Sequence, residues 1–320
     1  MLELVLEERQ VGKARAGFAL RLRLRGGRGS HVATIARAVC RILRAGCIAA
    51  ARGVEYRSSV SERQGPGGTG VLYGLYQARL RRQLQNANLP HHVAMIIDGN
   101  RRWARERALE TAAHGHRAGA EKMREFLGWC DDLGIRVVTI YLLSTDNLTG
   151  RSSEELDQLF EIIADLADDL SRAADWRIQH VGTTEGLPEP LVGALRAAED
   201  RTSGNAGLHV NLAVGYGGRR EIADAMRSIV RDHGDKGGSV EELAEILTPE
   251  LIGEHLYTQG QPDPDLIIRT SGEQRLSDFM LWQSAHSEFY FVEALGPDLR
   301  EVDFLRALRA YATRHRRFGQ

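Results

Sequence analysis

The sequence predicts an α/β fold: a mostly parallel sheet flanked by helices, in a single domain. Three observations predict it. Short apolar runs occur at Val93 to Ile97 and Arg136 to Leu143, and strand-like runs recur at Arg177 to Val181, Leu208 to Val214 and Leu266 to Arg269, too short for core helices and of strand length. Stretches with helical spacing fill the intervals between them, and strands alternating with helices give a parallel sheet. Clusters of Gly, Arg, Ser and Asn follow four of the five runs directly, at the carboxyl ends where open parallel sheets bind ligands.

The first quarter of the chain is a different kind of sequence. Residues 1–89 carry 16 Lys and Arg against 5 acidic residues, and no Asp occurs before Asp98, although the whole chain of 320 residues has a net charge of only −1. Residues 1–70 are expected to be a basic, poorly ordered N-terminal extension, or residues upstream of the true start read in the same frame. Within them Ile35, Val39, Ile42 and Leu43 lie opposite Arg37, Arg41 and Arg44 on a helical wheel, so a basic amphipathic helix on an anionic membrane surface is the alternative. The tract lacks the aromatics and the module of a nucleic-acid binder, and no nucleic-acid partner is expected.

The folded domain, 71–320, opens with helical spacing from Val71 to Leu84, ended by Asn86 to Pro90. The first strand, Val93 to Ile97, delivers Asp98-Gly99-Asn100-Arg101-Arg102, with a helix expected near Trp103 and a polar, irregular piece to Ala113. A helix follows from about His114 to Leu133, closed by Gly134. The second strand ends in Ser144-Thr145-Asp146-Asn147. Ser152-Ser153-Glu154-Glu155 reads as the start of a helix running to about Leu170. Helices are also expected at Pro188 to Ala198, Arg219 to Asp232, Val240 to Leu247 and Val302 to Arg314.

The strand ends carry the chemistry. Asp98, with the guanidinium groups of Arg101 and Arg102 and a glycine that lets the backbone approach closely, suits a metal and a polyanion. Gly215-Tyr216-Gly217-Gly218-Arg219-Arg220 and Arg269-Thr270-Ser271-Gly272-Glu273 repeat the pattern at two further ends, which describes one or two diphosphate sites. Neither G-x-x-x-x-G-K-[ST] nor G-x-G-x-x-G is present, so the diphosphate belongs to something apolar and not to a nucleotide. Cys40, Cys47 and Cys130 are too few for a disulfide framework or zinc site, and no apolar run reaches the roughly 20 residues that span a bilayer. A reducing cytoplasm is the simplest location, with peripheral contact at the inner face of the plasma membrane as the extension's contribution.

Several motifs together carry a family resemblance. H-V-A-M-I-I-D-G-N-R-R-W from His92, the Gly115-His116 pair, Y-L-L-S-T-D-N, A-V-G-Y-G-G-R-R-E-I, D-L-I-I-R-T-S-G-E-Q-R-L-S-D-F, L-W-Q, E-F-Y-F and R-H-R-R-F-G resemble the cis-prenyltransferases, the undecaprenyl diphosphate synthase family, in order and spacing from about Leu72 to Gly319. The D-D-x-x-D motif of trans-prenyl synthases is absent. The resemblance implies an enzyme that condenses isopentenyl diphosphate with an allylic diphosphate, using Mg2+, as a homodimer with an apolar tunnel between sheet and helices. Asp98 would hold Mg2+ and Glu288 would contribute to it. Gly99, Asn100, Arg101, Arg102, Trp103 and His116 would bind the allylic diphosphate; Arg269, Arg275 and Ser277 would bind the isopentenyl diphosphate. Asn147 stands at the family's proposed proton acceptor, read here as an orienting group because an amide is a poor base, with released pyrophosphate as the base. Ser144, Thr145, Asp146, Arg151 and Leu276 complete the expected substrate positions.

The chain departs from the family pattern in three places. Ala112 replaces an Arg four residues before His116, so one diphosphate contact is missing or is supplied by Arg117. Leu148 replaces an aromatic, and Arg151 follows a one-residue insertion near Gly150. At Tyr141-Leu142-Leu143-Ser144, where long-chain members resemble Y-A-F-S, Leu142 adds bulk toward the tunnel. The expectation is a short-chain enzyme making Z,E-farnesyl diphosphate (C15) from geranyl diphosphate, the alternatives being a long-chain C50–C55 synthase and a non-catalytic partner subunit. Retention of Asp98, Asn147, Arg269, Arg275, Ser277 and Glu288 argues against the partner subunit.

Overall fold

The computed structural model of the chain describes residues 2–9, 17–24 and 69–318. Two compact units divide at about residue 64. In the first, β1 (Leu2–Arg9) and β2 (Gly17–Leu24) pair antiparallel, Leu2 facing Leu24 and Arg9 facing Gly17. Both strands lie within the tract read from the sequence as a basic extension. Gly17–Leu24 alternates Phe18, Leu20, Leu22 and Leu24 with Ala19, Arg21 and Arg23, a period of two that Arg- and Gly-rich composition hides. The basic helix considered at 31–51 lies outside the described residues.

The second unit holds a six-stranded sheet in the order β5-β6-β4-β3-β7-β8, every neighbouring pair parallel. Its strands are β3 (His92–Ile96), β4 (Val137–Ser144), β5 (Arg177–Val181), β6 (His209–Tyr216), β7 (Leu266–Arg269) and β8 (Glu288–Phe291). The helices are α1 (Thr69–Leu84), α2 (Asn100–Glu106), α3 (Ala112–Asp132), α4 (Thr145–Gly150), α5 (Ser153–Ala173), α6 (Glu189–Thr202), α7 (Gly218–Asp235), α8 (Val240–Ile246), α9 (Pro249–Gly253) and α10 (Glu301–Phe318). Sequence reading finds neither β8 nor the short helices α4 and α9.

Alternation along the strands builds two cores. Val93 and Met95 of β3, Val138 and Ile140 of β4, Leu212 and Val214 of β6 and Ile268 of β7 share the larger core with Phe126 of α3, Ile163 of α5 and Phe304 of α10. Ala94, Ile96, Tyr141, Ala213 and Ile267 point the other way, against Phe279 and Met280. At the sheet's amino end that second face turns polar. His92 is fully buried, its Nδ1–H donating to the Pro262 carbonyl at 2.8 Å while Nε2 accepts from the Thr139 hydroxyl at 2.8 Å. The Asn211 amide in turn donates to Thr139 Oγ1 at 3.0 Å and to Gln261 at 2.7 Å.

One irregularity matters for the site. In the β4·β6 ladder Tyr141 pairs with Ala213 and Leu143 with Val214, which leaves Leu142 as an extra, unpaired residue. This is a β-bulge, which re-aims side chains near the end of a strand. It resets the alternation, so Leu143 joins Val138 and Ile140 in the larger core and Leu142 also packs against it.

Candidate active site

The carboxyl ends of β3, β4 and β7 meet at one rim, and between the rim and helices α3 and α5 lies a cleft of about 460 Å³. Asp98 sits at its polar end, two residues past β3. Its Oδ2 accepts from Arg269 Nη2 at 2.6 Å and its Oδ1 from the Gly99 N–H at 2.6 Å. Burial alone would push this carboxyl up, but the Arg269 guanidinium beside it and the Gly99 N–H outweigh burial and hold it below the usual carboxylate range. Asp98 is therefore an anion at neutral pH. Arg269 is 4 % exposed; its Nη1 also donates to Ser277 Oγ at 2.7 Å and to the Arg275 carbonyl at 2.5 Å.

The segment that follows β7 is strained. Ser271, Ser277, Asp278 and Met280 have φ of 74°, 52°, 62° and 47°, left-handed values that cost non-glycine residues roughly 1–3 kcal/mol each. Its surroundings hold it there. The Gly218 N–H donates to the Asp278 carbonyl at 2.7 Å, the Tyr141 hydroxyl donates to the Ser277 carbonyl at 3.2 Å, and the Tyr141 ring stacks on Phe279 at 4.5 Å. Behind it, the buried Glu221 carboxylate accepts from the Gln283 amide at 3.1 Å and from the Tyr257 N–H at 3.0 Å, tying the segment to α7.

Close helix packing positions the other half of the rim. Gly99 has φ 95°, and a Cβ there would stand 2.8 Å from Leu295 Cδ2; a Cβ at Gly115 would stand 2.1 Å from the Asn100 carbonyl. Both positions thus require glycine, and α2 runs directly against α3. One face of α2 turns Arg101, Arg102 and Arg105 to the cleft. His116 of α3 is 7 % exposed, with Nε2 at 3.1 Å from Arg151 Nη1 and 3.2 Å from Glu155 Oε1. Burial, with the Arg151 charge, lowers its pKa, so it is a neutral imidazole at pH 7. Arg151 donates to Glu155 at 2.8 Å, and Arg101 stands 3.7 Å from the same carboxylate. Ser144 caps α4 by accepting from the Asn147 N–H at 3.1 Å, which sets Asn147, half-buried, in the cleft wall beside Asp146. The far end is apolar: Met123 of α3, Ile162, Ile163 and Leu166 of α5, and Leu142 and Leu143 at the bulge.

Most of the expected residues therefore come together: Asp98 to Arg102, His116, Leu142, Ser144, Asp146, Asn147, Arg151, Arg269, Arg275 and Ser277 all line the cleft. Four do not. Trp103 turns to the opposite face of α2, where Nε1 donates to Asp298 at 2.9 Å and the Arg107 guanidinium covers its ring at 4.3 Å. Thr145 faces a neighbouring hollow shared with Arg219 and Asp278, and Leu276 packs under the sheet with Phe279 and Met280. Glu288 begins β8 opposite Leu266, the first residue of β7, at the other edge of the sheet from Asp98, where it pairs with Arg314 at 3.3 Å. Within one chain it does not join a metal held by Asp98. Arg117 lies on an outer groove of α3 and not in the cleft. Sequence reading missed Glu155, taken as part of a helix start, and Arg105, whose signal was its spacing of three and four residues from Arg102 and Arg101.

No cluster of three or more acidic, His or Cys ligands exists among the described residues. Asp98 alone fits Mg2+, which usually keeps several waters and is held by one or two carboxylates together with substrate phosphates. Among the described residues, Asn100 Oδ1, Arg151 Nε and Arg269 Nε are buried polar atoms of cleft-lining side chains without a hydrogen-bond partner. Buried polar atoms are nearly always paired, so these three mark the rim as the polar end of the cleft.

The undecaprenyl diphosphate synthase family model matches residues 96–319. The chain is 57% identical over 248 residues to a protein of Thermobifida fusca named (2Z,6E)-farnesyl diphosphate synthase, covering 78% of this chain and 97% of that one. It is 54% identical over 249 residues to isoprenyl transferase 1 of Streptomyces avermitilis (78% and 96% covered). It is 51% identical over 252 residues to a short-chain Z-isoprenyl diphosphate synthase of Mycobacterium leprae (78% and 96% covered). Among solved structures it resembles lavandulyl diphosphate synthase from Lavandula x intermedia, in complex with dimethylallyl diphosphate, with a TM-score of 0.65 and 37% identity, covering 70% of this chain and 95% of that one.

Proposed function

The chain belongs to the undecaprenyl diphosphate synthase family of cis-prenyltransferases, and from that premise we propose that this prenyltransferase is a short-chain enzyme. It joins one isopentenyl diphosphate to an allylic diphosphate, geranyl diphosphate first among them, and releases Z,E-farnesyl diphosphate. The observation that carries the chain length is Leu142, bulged out of β4 into the apolar end of a cleft of about 460 Å³, in the lower half of the roughly 300–1,000 Å³ usual for small-molecule sites. The names of the Thermobifida and Mycobacterium relatives support the same reading.

The residues divide the work. Gly99, Asn100, Arg101, Arg102 and His116 receive the allylic diphosphate, while Arg269, Arg275 and Ser277 receive that of isopentenyl diphosphate. Asp98, between the two groups, is the residue that would hold Mg2+; the ion would neutralise charge on the departing diphosphate. The allylic C1–O bond breaks, the isopentenyl C4 bonds to C1, and a proton leaves the isopentenyl C2. Asn147 orients the isopentenyl group, and the released diphosphate takes the proton. His116, neutral and accepting from Arg151, keeps that guanidinium aimed at the cleft.

Incubation of the protein with geranyl diphosphate, labelled isopentenyl diphosphate and Mg2+ tests the reading; a product of C50–C55 overturns the short-chain assignment, and activity with EDTA present overturns the metal. The homodimer and a peripheral contact with anionic bilayers belong to the same proposal, tested by sedimentation and by vesicle pelleting. No helix among the described residues is long and apolar enough to cross a membrane.

A further inference from the structure

Six arginines line the cleft, and five are already engaged. Arg269 holds Asp98 at 2.6 Å, Arg275 is paired with Glu273, Arg102 stands 3.5 Å from the same Glu273, and Arg101 and Arg151 share Glu155 at 3.7 and 2.8 Å. Arg105 is the exception. It is exposed, it lines the cleft, and it has no hydrogen-bond or ion-pair partner among the described residues. Its place is fixed by α2: one turn beyond Arg101 and Arg102, on the helix that packs against α3.

That difference has a physical consequence. An arriving diphosphate must compete with a carboxylate for each of the other five guanidinium groups, so part of each new contact is offset by the one exchanged. At Arg105 nothing is exchanged, and a guanidinium is suited to fork-like contact with phosphate oxygens. We propose that Arg105 is a further substrate-binding residue, the one that captures the allylic diphosphate at the mouth of the cleft. Its position on α2, one turn beyond Arg101 and Arg102, which are given to the allylic diphosphate above, assigns it to the allylic partner and not to isopentenyl diphosphate. This inference rests on the division of substrates proposed above. It also replaces Arg117 as the extra arginine, since Arg117 lies outside the cleft.

The experiment is steady-state kinetics of the full-length protein with each substrate varied in turn, comparing Arg105→Gln, Arg105→Lys and Arg117→Gln. Arg105→Gln should raise KM for the allylic diphosphate about tenfold, the equivalent of ~1.4 kcal/mol. KM for isopentenyl diphosphate and kcat should change less than about twofold, and Arg105→Lys should recover part of the loss. Arg117→Gln removes the same charge outside the cleft and controls for net charge. An allylic KM unchanged in Arg105→Gln, an equal rise in Arg117→Gln, or a rise confined to isopentenyl diphosphate overturns the proposal. Failure of the wild-type protein to condense the two substrates would instead overturn the function on which it rests. Because Arg105 is exposed and unpaired, its variants should keep the wild-type melting temperature, which separates binding loss from misfolding.

Discussion

His92 offers a quantitative test of how the sheet is held together, away from the catalytic rim. Its imidazole is fully buried, and burial lowers its pKa to about 4, against the pull of the Pro262 carbonyl and of Asp265 nearby. In the unfolded chain a histidine titrates near 6.5. The unfolded state therefore binds the extra proton between about pH 6.5 and pH 4, and stability falls as pH falls through that window. At pH 5 the unfolded imidazole is largely charged and the folded one largely neutral, which removes about 2 kcal/mol of the stability present at pH 8; below pH 4 the loss levels off at roughly 3 kcal/mol. His209, whose pKa burial also lowers to about 4, adds a loss of the same sign. The assay is urea unfolding followed by far-UV circular dichroism at pH 8, 6.5 and 5, on the wild type and His92→Gln. The variant should be less stable at pH 8, having lost the hydrogen bond to Pro262, but should lose about 2 kcal/mol less than the wild type between pH 8 and pH 5. Parallel pH dependences for the two proteins would refute the reasoning, because His209 and the carboxylates are common to both and only His92 differs.

Leu142→Ala removes three carbons from the cleft wall while an isoprene unit adds five, so the product should lengthen by about one unit, from C15 to C20, as read by chromatography of the dephosphorylated alcohols. The stability cost should be about 1–2 kcal/mol, below the 2–5 kcal/mol of fully buried leucines, because Leu142 is only half-buried. Gly99→Ala meets both a φ of 95° and a 2.8 Å contact with Leu295, so it should lower stability by at least about 1 kcal/mol and raise KM for the allylic diphosphate. An Arg269→Lys variant cannot reach Asp98, Ser277 and the Arg275 carbonyl at once, so KM for isopentenyl diphosphate should rise at least about tenfold despite the conserved charge.

The inner strands of the sheet could be read directly from the sequence. β7 falls at Leu266–Arg269, as its apolar run predicts, because a parallel strand buried on both faces leaves a continuous apolar signature, while the edge strand β5 at Arg177–Val181 shows itself only through its buried Ile178 and Val181. β8 escaped because it is a four-residue edge strand, and its Glu288-Phe289-Tyr290-Phe291 carries the family resemblance without announcing a strand. Glu288 was carried over from the family motif, which says nothing of where along β8 it stands. Only the register of β8 on β7 shows that it starts at the amino edge of the sheet while Asp98 lies at the carboxyl edge. Trp103 was carried over with the family motif, yet a helix beginning at Asn100 turns about 100° per residue, which carries Trp103 away from the face that presents Arg101, Arg102 and Arg105. Arg269, Arg275 and Ser277 were legible as a motif. Their convergence, which depends on four left-handed residues and on the Glu221 tie behind them, was not, since neither leaves a periodic trace in the sequence.

The most direct test of the central claim is the length and geometry of the wild-type product. With geranyl diphosphate, excess labelled isopentenyl diphosphate and Mg2+, the dephosphorylated product should be a single C15 alcohol with one new Z double bond, and its yield should not shift to longer chains as isopentenyl diphosphate is raised. A ladder extending to C50–C55 under the same conditions would contradict the role given to Leu142, and an all-E product would contradict the account of the site itself.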